Sequence, residues 1–115
     1  MRAYELMIIL DAGLDDAGVQ AQLARVTEGV QAGGGRVATT DIWGVRHFAY
    51  EIDHKHEGIY VVLEITTDAP DLTQVERALR LADEVVRHKL IRLPESEAAK
   101  RGLTGEAAPA ETPAG

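Results

Sequence analysis

The chain contains no cysteine. That excludes disulfides, thiolate nucleophiles and Cys-ligated zinc, and it fits a reducing compartment. Aromatic residues are scarce, with one Trp, one Phe and three Tyr in 115 residues, so any core must be aliphatic. No apolar run approaches the ~20 residues needed to cross a bilayer, and the acid Glu5 stands where a secretory leader would be apolar. Positive charge is also short: 12 Lys and Arg face 19 Asp and Glu, a net −7. That argues against a general polyanion binder, because phosphate neutralisation dominates that kind of affinity. Local RNA contact remains open, since clustered cations act over a Debye length of ~8 Å. What is present is ordinary for one globular domain: 45% hydrophobic and 27% charged residues.

The pattern along the chain predicts six elements. Residues 2–10 read as a strand whose second half, Met7-Ile8-Ile9-Leu10, is apolar on both faces, as a central strand is. A helix follows over about 15–32, with Val19, Leu23, Val26 and Val30 forming one stripe. Asp15 and Asp16 suit its positive N-terminus, and Gly33-Gly34-Gly35 stops it. Residues 36–52 read as a long strand, bulged or bent at Gly44, and 53–58 as a polar hairpin connection. A β-branched strand at 59–66 precedes a helix beginning around Asp68-Ala69-Pro70 and running to about Ala82, with Leu72, Val75, Leu79 and Ala82 buried. Residues 84–93 form the last strand. From 95 to 115 the composition turns to Ala, Glu, Gly, Thr and Pro and predicts a flexible tail behind a domain of residues 1–94.

The order β-α-β-β-α-β with right-handed crossovers gives an α+β, ferredoxin-like fold. A four-stranded antiparallel sheet carries two helices on one face, with the first and third strands central. Alternation assigns Tyr4, Leu6, Ile8, Leu10, Ile59, Val61, Leu63 and Ile65 to the helices. The other face then shows Glu5, Met7, Ile9, Tyr60, Val62 and Glu64, with Arg87, Lys89 and Ile91. Such a mixed face asks for a macromolecular cover. The stretch Asp41-Ile42-Trp43-Gly44-Val45-Arg46-His47-Phe48-Ala49-Tyr50-Glu51-Ile52 places the only Trp and Phe with cations on one strand.

These residues carry a resemblance. The opening Arg2-Ala3-Tyr4-Glu5-Leu6-Met7-Ile8-Ile9-Leu10, the Trp43-Gly44-x-Arg46-x-Phe48-Ala49-Tyr50 strand, the Gly58-x-Tyr60 step, and Leu79-Arg80-Leu81 with Val85-Val86-Arg87-His88 resemble the bacterial small-subunit ribosomal protein six family. The likeness spans 1 to about 93. It implies a structural constituent of the cytoplasmic 30S subunit, paired with small-subunit ribosomal protein eighteen on the central domain of 16S ribosomal RNA. It implies no cofactor, no small-molecule substrate and no membrane. Val45, His47 and Glu51 stand where the family usually has a basic residue, a second Arg and a Pro.

On that resemblance Arg2, Arg46, Arg80 and Arg87 are expected to contact RNA phosphate or sugar. Lys89 and Arg92 join them by clustering, and Met7, Trp43, Tyr60, Val62 and Ile91 are expected to meet the protein partner. The plain alternative for the cations is solvated charge, or ion pairs with Glu5, Glu64 and Asp83. Phe48 and Tyr50 read as strand-packing aromatics, and Tyr60 as an isolated ring. His54 and His56 could suggest a metal, but lack an obvious third ligand beyond Asp53 or Glu57 and flank Lys55; no metal site and no catalytic residue is assigned. A rival reading is a small, dimeric ferredoxin-like ligand-binding module or enzyme. It requires a pocket with convergent His, Asp or Arg groups, and the sequence displays no such set.

Overall fold

The computed structural model describes residues 1–52 and 54–103. Four strands, β1 (Arg2–Asp11), β2 (Arg36–Ile52), β3 (Lys55–Thr67) and β4 (Val85–Leu93), and two helices, α1 (Asp16–Ala32) and α2 (Thr73–Leu81), follow in the order β1-α1-β2-β3-α2-β4. A short helix α3 (Glu95–Lys100) follows. The sheet order is β2-β3-β1-β4, antiparallel throughout, so the expected ferredoxin-like topology is observed.

α1 starts where a carboxylate can cap it: Asp15 accepts a hydrogen bond from the Gly18 backbone N–H at 2.8 Å. Its stripe of Val19, Leu23, Val26 and Val30 is buried. The helix ends as Gly34 turns left-handed at φ 89° and the Gly35 N–H returns to the Val30 carbonyl at 2.9 Å. The helix-facing residues of β1 and β3 (Leu6, Ile8, Leu10, Val61, Leu63 and Ile65) are essentially inaccessible to solvent. They meet the α1 stripe and Leu72, Val75 and Leu79 in one aliphatic core.

Three local expectations are corrected. α2 starts at Thr73, not near Asp68. Pro70 disfavours helical backbone at Ala69, and the would-be capping groups are used elsewhere. The Thr67 hydroxyl accepts from the Ala69 N–H, Arg2 donates to the Ala69 carbonyl, and Asp68 pairs with the N-terminal amine. Secondly, the connection expected at 53–58 is mostly strand. The chain reverses between Ile52 and Lys55, which are register partners, and His54 adopts a left-handed φ of 65°. Because β1 pairs with β3 only as far as Asp11 opposite Gly58, the rest of the β2–β3 hairpin projects as a two-stranded arm. Lys55 braces its base on Asp11 at 3.1 Å.

Thirdly, the segment from 95 is not uniformly irregular. α3 lays Ala98, with Leu103 beyond its end, against Ala3 and Leu93 in a small second cluster that Ala38 flanks. Gly102 closes it with φ 74°, bringing the Leu103 N–H to the Ala98 carbonyl at 2.8 Å. One turn and two apolar side chains are too little for periodicity to register. Residues 104–115, the rest of the expected tail, lie outside the described residues.

Candidate functional site

Both helices of the main layer lie on one side of the sheet. Register fixes what the other side presents, because directly opposed residues of neighbouring strands share a face. Across β4-β1-β3 the rows are Ile91-Glu5-Glu64, Lys89-Met7-Val62 and Arg87-Ile9-Tyr60. β2 adds Thr39 beside Glu64, Asp41 beside Val62 and Arg46 beside Gly58. The rows grade from acidic at one end to aromatic and cationic at the other.

At the aromatic end Trp43 stacks on Tyr60, centroids 6.3 Å apart and planes within 4°. Phe48 meets Tyr60 edge-on, also at 6.3 Å. Tyr60 is therefore not the isolated ring that the sequence suggests. The Arg46 guanidinium stands 5.2 Å from the Trp43 ring centroid. The indole N–H donates to Asp41 at 3.0 Å, which pins the ring. Gly44 sits at a register shift of β2 with φ 91°, a conformation an L side chain resists, so the strand can bend beside the Trp. Trp43 remains 43% exposed.

Gly58 lets this end close up. A Cβ there would lie 2.5 Å from Ile9 Cγ2 and 3.0 Å from Phe48 Cζ. Ile9 is accordingly buried, although it stands on the face expected to be open. Tyr50, expected to pack, is instead exposed on the projecting arm, beyond the last β1–β3 pair.

Arg87 and Lys89 flank Ile9 and Met7 and are exposed. Among the described residues neither forms an ion pair, and the same holds for Arg46, Arg80 and Arg92. Of the carboxylates proposed as their partners, Glu5 and Glu64 are engaged elsewhere. Glu5 and Glu64 face each other across β1 and β3, and both accept hydrogen bonds from the Arg101 guanidinium, at 2.9 and 3.1 Å. Arg101 also donates to Glu97 at 2.9 Å. Glu5 and Glu97 hold the guanidinium firmly in its charged form, and Arg101 in turn keeps the Glu97 carboxyl below its ordinary value.

The structure thus gathers Arg46, Arg87 and Lys89 with Met7, Trp43, Tyr60, Val62 and Ile91 on one face. It does not gather the other three cations there. Arg2 lies on the helix side and donates to the Ala69 carbonyl at 3.0 Å. Arg92, opposite Tyr4, is on that side too, and Arg80 is exposed on α2. Sequence reasoning missed Arg101, although two opposed glutamates on one face signalled that a counter-ion was needed, and the i,i+4 spacing of Glu97 and Arg101 was visible. It also missed Phe48 as part of the aromatic group. No set of three or more acidic or imidazole groups placed to hold a metal occurs among the described residues.

Comparison with known proteins places this geometry. The family model described as Ribosomal protein S6 matches residues 3–92. "Small ribosomal subunit protein bS6" of Salinispora arenicola is 44% identical over 92 residues, covering 80% of this chain and 96% of the relative. The protein of the same name from Beutenbergia cavernae is 47% identical over 93 residues, covering 80% and 96%. The crystal structure of 30S ribosomal protein S6 from Thermotoga maritima superposes with a TM-score of 0.78 at 28% identity, covering 87% of this chain and 94% of that one.

Proposed function

The chain belongs to the ribosomal protein S6 family, and from that premise we propose that it binds the central domain of 16S ribosomal RNA jointly with small-subunit ribosomal protein eighteen. Family membership makes it a structural constituent of the small ribosomal subunit, not an enzyme. The rival reading of a ligand-binding module or enzyme falls with that membership.

The observation that supports the joint-binding reading is the sheet face without helices. It combines apolar side chains (Met7, Val62, Ile91), a pinned and half-exposed Trp43, and cations without carboxylate partners among the described residues (Arg46, Arg87, Lys89). A protein partner covers the apolar rows, and the cations meet phosphate, positioning the complex without reading bases. The chain's own net charge of −7 opposes RNA, so a basic partner must supply much of the attraction.

Gel-shift titration of a central-domain RNA fragment tests this. The chain with protein eighteen should bind at least about tenfold more tightly than the chain alone, a difference of ~1.4 kcal/mol. Equal affinity with and without the partner rejects joint binding.

A further inference from the structure

The sheet face is not wholly open. α3 and Leu103 cover the end formed by Ala3 and Leu93, and Arg101 closes over Glu5 and Glu64. Ile91, exposed at 41%, is the residue opposite Glu5, directly beside this covered end. Any partner wide enough to bury Ile91 and Met7 therefore runs into α3.

The cover is lightly built. α3 has six residues and no side-chain cap at its N-terminus, and helices this short depend on tertiary packing. Its packing rests on Ala98 and Leu103, and its polar anchor is one guanidinium left 28% exposed. Beneath it lie Ala3, Ala38 and Leu93, bordered by two carboxylates whose only counter-ion among the described residues is Arg101. Once α3 leaves, the uncovered ground is apolar and acidic. That chemistry repels nucleic acid and suits a protein bearing basic side chains among apolar ones.

We propose that the segment 95–103 is an intramolecular strap, which occupies one end of the sheet face in the free protein and is displaced when a basic protein partner docks. The inference rests on the joint-binding reading above and adds to it a competition between the chain's own C-terminal helix and the partner. The strap's contacts must be given up on docking, so its strength sets apparent affinity by population shift.

The absence of native cysteine permits a clean test on the full chain. Substituting Ala3→Cys and Ala98→Cys, which belong to the same cluster, lets oxidation pin the strap. A second variant, Leu103→Asp, loosens it. Protein eighteen is the probe, and binding is read by calorimetry. The pinned form should bind about tenfold or more weakly than its own reduced form, and Leu103→Asp should bind more tightly than the native chain. Hydrogen exchange on the native complex should show amides 95–103 losing protection. If the pinned form binds as well as the reduced one, or amides 95–103 gain protection, the strap proposal is overturned while joint binding stands. If protein eighteen binds none of the forms, both ideas fall.

Discussion

Gly58 decides how tightly the aromatic end of the sheet can close. Its missing side chain admits Ile9 and Phe48, with the Leu10 carbonyl 3.0 Å from where a Cβ would stand. Gly58→Ala should cost about 1–3 kcal/mol, the usual range for forcing atoms into a packed site. Chemical denaturation checks this, and an unchanged midpoint would mean that the approach is not tight. Arg101 matters for a different reason. Glu5 and Glu64 stand directly opposite each other, a destabilising arrangement for like charges unless a cation intervenes. Arg101→Gln should lose roughly 1.5–3 kcal/mol, the scale of hydrogen bonds to charged groups. Adding Glu64→Gln should restore part of that loss; a strictly additive double variant would show that the two side chains are not coupled.

Residue-scale charge also predicts acid sensitivity. The Gly13 N–H, followed by the Lys55 ammonium, holds the Asp11 carboxyl below its ordinary 3.8, and Arg101 holds Glu97 below its ordinary 4.5. In both cases the folded chain favours the ionised form. The stability they add is therefore fully present above those ordinary values and is lost as pH falls through the lower folded ones. Unfolding midpoints measured from neutral pH downward should drop from about pH 4.5 onward, and Asp11→Asn with Glu97→Gln should flatten the drop. A native curve already flat across that window would contradict the assignment.

At the scale of elements, the β2–β3 arm and α3 differ most from the rest. A hairpin lacking a third strand is marginal in water. The arm beyond Gly58 is tied by His47 with Glu57, His56 with Glu51, and Lys55 with Asp11. Its amides should exchange orders of magnitude faster than those of β1 and central β3, whose helix-facing side chains are buried. Equal protection along β3 would refute an unsupported arm. These elements also mark how far the sequence could be read. β1, α1 and the core strand of β3 were legible because their periodicities are long and their apolar positions regular. The start of α2 was not, since Asp68 and Pro70 look like a helix opening until Arg2, Thr67 and the chain terminus claim the same groups. α3 was hidden because a single turn with Ala98 and Leu103 has no period. The hairpin was misplaced because Lys55, His56 and Glu57 are polar yet belong to β3, stabilised by contacts that composition does not reveal.

For the whole molecule, an acidic chain sets Arg46, Arg87 and Lys89, which have no ion-pair partner among the described residues, on the face that holds its aromatic group. Alternation along β1, β3 and β4 made most of that face readable, down to Met7, Val62, Arg87, Lys89 and Ile91. It could not show that Trp43 and Phe48 gather on Tyr60, because the register shifts of β2 are set by backbone geometry. Nor could resemblance to a family reveal that Arg2 and Arg80 lie away from the face, since matching positions specify residue type but not direction, and clustering along the chain could not reveal it for Arg92. On the joint-binding reading, this face is where the molecule joins its assembly. Incorporation into small-subunit particles, followed by sedimentation, tests it most directly. Ile91→Asp, on an exposed edge-strand position, should reduce incorporation about tenfold or more. Gln31→Glu, exposed on α1, should incorporate like the native chain. If folded Ile91→Asp enters particles as readily as the native protein, the sheet face is not the docking surface.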